Sequence, residues 1–304
     1  MLLYTHPACL AHDPGTGHPE SPARLRAVLE TLDDPRFAAI ERNEAPRATR
    51  EQLGRVHGAA MIDRIFASAP CEGHAQLDPD TAMSPDSLQA ALRAAGAVCA
   101  AVDALIDGAG TRAFCAVRPP GHHATRDTAM GFCLFNSIAI GAAQALARGI
   151  ERVAIVDFDV HHGNGTQDIF WNDPHVLYAS THQSPLYPGT GARSETGAGN
   201  VVNAPLPPGA GSAQFRSAMS GIILPRLAEF RPQLLMISAG FDAHRLDPLA
   251  SLNFDNDDYA WVTRELADVA NAHAQGRIVS SLEGGYSLAA LRESTAAHVA
   301  ALME

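Results

Sequence analysis

The chain has 304 residues, 46% of them hydrophobic and 18% charged, with a formal net charge of −11. That apolar content supplies a sizeable core and excludes a disordered chain, while the acidic balance argues against nucleic acid and anionic membranes as partners. Five scattered cysteines, Cys9, Cys71, Cys99, Cys115 and Cys133, include no CxxC pair, which argues against a disulfide framework or a cysteine zinc site.

The cysteine usage favours a reducing compartment. No apolar run approaches the roughly 18 residues of a membrane span, and the start lacks a basic region followed by an apolar stretch. The expectation is a soluble, cytoplasmic protein that binds neither membrane nor nucleic acid. The acidic surface suits simple solubility or a cationic partner, and oligomeric state is not legible.

In chain order, Leu2–Tyr4 is the first strand candidate. Ser21-Pro22 reads as an N-cap with proline in the first turn, leading into a helix over Ala23–Leu32. Ser84-Pro85 repeats the device before a helix with apolar residues at Leu88, Leu92, Ala95, Val98, Val102 and Leu105, closed near Gly108. Strand Ala113–Val117 precedes helix Ser137–Arg148. Strands Val153–Val156 and Val176–Ala179 follow, then helix Gln214–Phe230 and strand Leu234–Ile237. Helix Asp258–Ala274, strand Ile278–Ser281 and helix Ala289–Leu302 complete the order. Most strand candidates are continuously apolar, as parallel strands covered on both faces should be. The alternation predicts one doubly wound α/β domain over residues 1–304 with a mainly parallel sheet.

Polar residues capable of chemistry follow five of these strands directly. Arg118-Pro-Pro-Gly-His122-His123 follows the second candidate and Asp157-Phe-Asp159-Val-His161-His162-Gly-Asn164 the third. Ser180-Thr-His182, Ser238-Ala-Gly-Phe-Asp242 and Glu283-Gly-Gly-Tyr286 follow the next three. In an open parallel sheet all five emerge on one edge, where ligands bind.

Asp159 and His161 are two apart and share a direction if the strand continues through them. With Asp242 they would form a three-ligand site that leaves a position for water, the catalytic rather than the structural pattern. A lone DxH pair is common by chance, and an isolated aspartate after a strand is usually a turn or cap residue; their joint placement at strand ends carries the reading. His122 and His123 would, alone, read as loop histidines. Asp157 and Asn164 can orient their second ring nitrogens, which gives two histidine–acceptor dyads beside one water. Tyr286, on a glycine turn, either packs in the core or donates to an oxyanion.

These segments resemble the motif set of the histone deacetylase family: Arg118–Ala124 (RPPGHHA), Asp157–Gly165 (DFDVHHGNG), Tyr187–Gly191 (YPGTG), Ser238–Asp242 (SAGFD) with Asp247-Pro248, and Glu283–Tyr286 (EGGY). His18–Leu25 (HPESPARL) is similar to the family's N-terminal signature. Phe158, Asn164 and Glu283 resemble the class II-like branch, which includes microbial amidohydrolases.

The resemblance implies an arginase–deacetylase fold, an eight-stranded, mainly parallel sheet between helical layers. It implies zinc, with iron(II) as an alternative, on Asp159, His161 and Asp242. His123 becomes the general base and acid, His122 with Asp157 its electrostatic partner, Asn164 the group orienting His123, and Tyr286 the donor to the scissile carbonyl. A structural potassium ion would use Asp157, Asp159, His161 and Ser180. A second would use backbone groups around Phe170, Asp173 and Val176. Phe132 and Tyr187 become opposing tunnel walls, Leu249 stands where polyamine-selective relatives carry an acidic gatekeeper, and Asp80 either binds substrate backbone at the rim or is a loop aspartate.

The implied activity is hydrolysis of an N-acetyl amide on a lysine-like amine, with an acetylpolyamine or other small acyl amide as the alternative substrate. An arginase-like ureohydrolase would need an aspartate-rich binuclear motif in place of DFDVHH. An inactive acyl-lysine-binding scaffold should have lost a ligand or the tyrosine. His162 and His182 are expected to pack or hydrogen-bond near the site, and Cys133 to be a buried thiol or to line the cavity.

Overall fold

The computed structural model describes residues 1–304. Its strands are β1 (Leu2–Thr5), β2 (Glu41–Glu44), β3 (Ala75–Asp78), β4 (Thr81–Met83), β5 (Arg112–Cys115), β6 (Val153–Asp157), β7 (Val176–Gln183), β8 (Val201–Leu206), β9 (Leu234–Ala239) and β10 (Ile278–Leu282). Eight of them form one sheet in the order β2-β1-β5-β10-β9-β6-β7-β8, and every pairing within it is parallel. The remaining two, β3 and β4, form a separate antiparallel hairpin.

Every residue of β6, β7, β9 and β10 is buried, because helices cover both faces, and this produces the continuous apolar runs of the sequence. The five strands that lead into the polar motifs, β5-β10-β9-β6-β7, are contiguous in the sheet. Their carboxyl ends therefore deliver the motifs side by side, with Asp157 of β6 in register with Ser180 of β7 and Ser238 of β9.

The sequence reading lacks the β3–β4 hairpin and two strands of the large sheet, which are its edges. β2 is Glu-Arg-Asn-Glu, with no buried residue and hence no apolar signal. β8 contains Pro205, which an edge strand tolerates because one side needs no ladder donor. Two helix boundaries also differ. The helix after Ser84-Pro85 begins at Ser87 with Asp86 at its N-cap, while Ser84 Oγ meets Ser87 Oγ at 3.0 Å and accepts from Asp13 N–H at 3.1 Å. The stretch Gln214–Phe230 is broken by a π-helical turn at Met219–Ile223 between helices Ser212–Ala218 and Leu224–Phe230.

Helix Ser87–Ile106 corrects a further expectation. By length and composition it is apolar enough to cross a bilayer, and 67% of that stretch is buried inside the protein. Its alanine-rich face lies against β5, β1 and helix Ser137–Ala147, which accounts for its apolarity as core packing.

Candidate metal centre and active site

The loop after β6 turns back so that Asp159 and His161 face Asp242, at the end of β9. One donor atom from each of the three lies within 4.8 Å of the others. His161 Nδ1 is 3.2 Å from both Asp159 Oδ1 and Asp242 Oδ2. The carboxylates are held from behind by backbone: Gly284 N–H donates to Asp159 Oδ2 at 2.8 Å and Val160 N–H to Asp242 Oδ1 at 2.8 Å. Both aspartates are buried.

Backbone must come this close, which is why glycine occupies two positions. A Cβ on Gly240 would strike the Asp159 carboxylate, and one on Gly284 would strike those of Asp242 and Asp159. Burial opposes charge on His161, yet Asp159 and Asp242 overcome it and push its pKa up to about 10. Asp242 is pushed up to about 7 by burial and the Asp159 charge. Two buried carboxylates facing one imidazole form a candidate cation site, and a two-oxygen, one-nitrogen donor set is of the kind that suits zinc with a position left open.

Beside it stand the two histidines. His122 Nδ1 meets Asp157 Oδ2 at 2.9 Å, and the Tyr178 hydroxyl donates to the same oxygen at 3.1 Å. His123 Nδ1 meets Asn164 Oδ1 at 2.8 Å. Their rings are 4.1 Å apart, yet their electrostatics diverge. Burial disfavours charge on both. On His122 the carboxylates of Asp157 and Asp159 outweigh it and hold the pKa well above the usual value. His123 has only a neutral amide partner, and the positive fields of His122 and His161 add to burial and hold it well below. Neighbouring titratable groups driven apart in this way suit one fixed charge and one mobile proton.

Tyr286 comes from the turn after β10. Its backbone N–H donates to Asp247 Oδ2 at 2.7 Å, and the Arg24 guanidinium lies 4.8 Å from its ring centre. Burial raises the phenol well above its ordinary value, so it remains a proton donor.

His123, His161 and Tyr286 open onto a cavity of about 270 Å³ whose other lining residues are Asp80, Gly131, Phe132, Leu186, Tyr187 and Leu249. All four tunnel residues expected from the sequence, Phe132, Tyr187, Leu249 and Asp80, are among them. Cys133 is not: it is buried, and its Sγ turns to the Gly131 carbonyl at 3.3 Å. His162 bonds Thr190 Oγ1 and Gln167 Oε1, while His182 bonds Ser180 Oγ and the Gly191 carbonyl, so both serve the packing of the Tyr187 loop.

Around the second potassium site expected from the sequence, the carbonyls of Phe170, Asp173 and Val176 converge on Asn200 Nδ2, at 2.7, 3.0 and 2.9 Å. Ala198 N–H donates to Asn200 Oδ1 at 3.0 Å and fixes the amide's orientation. The Asn200 amide thus stands among the backbone groups that the resemblance assigns to a second potassium ion, with two N–H groups shared among three carbonyls.

Sequence reasoning missed the buried scaffold behind the site. Glu20 is fully buried, bonded through both oxygens to Arg118 and through Oε1 to Arg24 at 2.9 Å. Arg24 in turn donates to the carbonyls of Glu283 at 2.5 Å and Gly285 at 2.6 Å. Glu283, pushed up to about 7 by burial, accepts from Gly121 N–H at 2.6 Å and His122 N–H at 3.2 Å. The signal was present in His18–Leu25 and Glu283–Tyr286, but only folding shows that the first segment grips the second.

An eight-stranded parallel sheet carrying this cluster on its carboxyl edge has the arginase–deacetylase fold. The crystal structure of the HDA15 HD domain superposes with a TM-score of 0.95 at 35% identity, covering all of this chain and 91% of that one. The histone deacetylase-like amidohydrolase of Pseudomonas aeruginosa is 42% identical over 278 residues, 89% of this chain and 73% of that protein. A probable deacetylase of Archaeoglobus fulgidus is 40% identical over 290 residues, 93% of this chain and 80% of that protein. The histone deacetylase domain model matches residues 18–302, and the chain belongs to the histone deacetylase family, with deacetylase or amidohydrolase activity as its general class.

Proposed function

We propose that this chain, as one catalytic domain, is a zinc-dependent deacetylase that hydrolyses the N-acetyl amide of a lysine-like amine, releasing acetate. The observation that carries the reading is the convergence of Asp159, His161 and Asp242 beneath a cavity that His123 and Tyr286 also line. Zinc on those three residues, or iron(II) in its place, would supply Lewis acidity toward the scissile carbonyl and the attacking water. Neutral His123 accepts the proton that water loses as its oxygen bonds to the carbonyl carbon. Tyr286 donates to the carbonyl oxygen as it gains charge. His123 then gives its proton to the departing nitrogen as the C–N bond breaks. His122, held charged by Asp157, stabilises the negative charge that develops beside it. Asn164 Oδ1 accepts from His123 Nδ1–H, which leaves Nε2 free to take the proton and adds no charge.

Phe132 and Tyr187 supply aromatic faces suited to the methylenes of an extended amine chain. Leu249 at the same cavity is apolar, which supports a lysine-like chain over a polyamine with a second ammonium. A structural potassium ion on Asp157, Asp159, His161 and Ser180 belongs to the same reading, supported by Asp157 and Ser180 standing in register on β6 and β7. So does a cytoplasmic location, supported by five free cysteines.

The test is acetate release by zinc-loaded protein from an acetyl-lysine peptide, an acetylated polyamine and longer acyl-lysines. Release that disappears on chelation and returns with zinc is expected. Equal activity in the chelated protein would overturn the metal-dependent reading.

A further inference from the structure

The tunnel wall at Phe132 is built on an unfavourable backbone. Phe132 has φ 67° and follows Gly131 at φ 58°, so two successive residues are left-handed, one of them a bulky aromatic. The turn is closed at its base by Met130 and Cys133, whose N–H and carbonyl groups bond each other at 3.0 and 3.2 Å. The amides of Gly131 and Phe132 take no part in the turn's own backbone pairing.

Both are taken by the β3–β4 hairpin. Gly131 N–H donates to Asp80 Oδ1 at 3.1 Å and Phe132 N–H donates to Thr81 Oγ1 at 3.0 Å. Thr81 Oγ1 donates in turn to Asp80 Oδ1 at 2.8 Å, which closes a small ring of hydrogen bonds. His18 braces the arrangement, with its ring edge-on to Phe132 at 4.6 Å and its Nε2 meeting the Asp80 carbonyl at 3.2 Å. Thr81 is 1% exposed and cannot reach a substrate. Gly131 lies so close to His123 that a Cβ there would overlap the imidazole, so a shift of this turn would disturb the proton carrier as well as the wall.

We propose that Thr81 and Asp80 are positioning residues that clamp the left-handed Gly131–Phe132 turn. Through it they set the width of the tunnel for an extended, unbranched acyl-amine chain. Asp80 then acts on every substrate through Phe132, whether or not that substrate offers a peptide backbone. The kinetic consequence rests on the deacetylase reading; the clamp itself does not.

Two measurements on the zinc-loaded full chain test this. First, amide hydrogen exchange at Gly131 and Phe132 should be slow in the natural protein. It should accelerate by about tenfold or more in Thr81→Val, as expected of amides released into a low-stability segment, and remain slow in Thr81→Ser, which keeps the hydroxyl. Second, kcat/KM is measured on an acetyl-lysine peptide and on a mono-acetylated diamine that has no peptide backbone. Thr81→Val and Asp80→Ala should each lose about tenfold or more on both substrates. KM should rise more than kcat falls, since a wall contact is made in ground and transition states alike. Thr81→Ser should recover most of the loss.

Unchanged exchange in Thr81→Val would overturn the clamp. So would an Asp80→Ala defect confined to the peptide with Thr81→Val at the natural level, since Asp80 would then be a direct backbone contact. If the natural protein releases acetate from neither substrate, the deacetylase reading falls, and the exchange result still decides the clamp.

Discussion

Two groups divide the chemistry that the proposed reaction needs, and each can be removed alone. Tyr286 is a protonated phenol at the cavity, apart from the Asp159–His161–Asp242 cluster. Tyr286→Phe is expected to lower kcat by roughly 10²–10³, the usual loss of one oxyanion donor, with bound zinc unchanged by elemental analysis. A variant that keeps full turnover would take Tyr286 out of the reaction. The second group is His123, whose neutrality follows from its partner. Asn164 Oδ1 accepts from His123 Nδ1–H without adding negative charge, while burial and the charges on His122 and His161 push the imidazole down. A carboxylate at position 164 would favour the imidazolium and raise that pKa. The base form of His123 is the active one, so in Asn164→Asp the acid limb of the kcat/KM profile should move to higher pH. Identical acid limbs in the two proteins would mean that His123 is not the titrating base.

At the scale of elements, the site depends on backbone entering spaces that side chains would fill. Gly284, just beyond β10, approaches the Asp159 and Asp242 carboxylates so closely that a methyl group must displace them. Gly284→Ala should therefore bind markedly less zinc per chain while keeping its far-ultraviolet circular dichroism. Gly221→Ala, in the π-helical turn with open space around it, serves as the control that retains zinc. Full zinc occupancy in Gly284→Ala would show that the carboxylates can retreat and still bind. The same elements show what a sequence discloses. The strands β5, β6, β7, β9 and β10 were legible because burial on both faces leaves continuous apolar runs, and the motifs that follow them were legible because strand ends gather at one edge. The edge strand β2 was illegible because an exposed strand needs no apolar residues. The grip of Arg24 on the Glu283–Tyr286 backbone was illegible because its partners are carbonyls, which carry no residue identity. Asn200 was overlooked for the same reason: its three acceptors belong to Phe170, Asp173 and Val176 through backbone alone.

For the molecule as a whole, the carboxyl edge of the sheet concentrates acidic groups that folding has taken out of water, and their protonation links the site to global stability. Without a cation, Asp242 and Glu283 are pushed up to about 7, mainly by burial, and the two metal-site carboxylates push His161 up to about 10. Each of these three shifts is upward from the unfolded value, so these groups hold more protons in the folded chain than in the unfolded one, Asp242 and Glu283 between about pH 4 and 7 and His161 between about pH 6.5 and 10. A raised folded-state pKa contributes stability that is complete below the unfolded pKa and is lost as pH rises through the folded one. The contribution of these three groups to the stability of the metal-free protein should therefore fall from pH 6 to pH 8.5, as Asp242 and Glu283 ionise within the core and His161 begins to lose the proton that balances Asp159. A divalent ion on Asp159, His161 and Asp242 replaces that balancing charge, and it competes with protons for the same atoms. The gain in Tm on adding zinc at fixed concentration should then be larger at pH 8.5 than at pH 6, by linkage to a ligand that binds only the folded chain. Differential scanning calorimetry of chelated and zinc-loaded protein at the two pH values measures it. A zinc increment that is equal at both, or larger at pH 6, would show that the buried acids at this edge do not govern the stability of the fold.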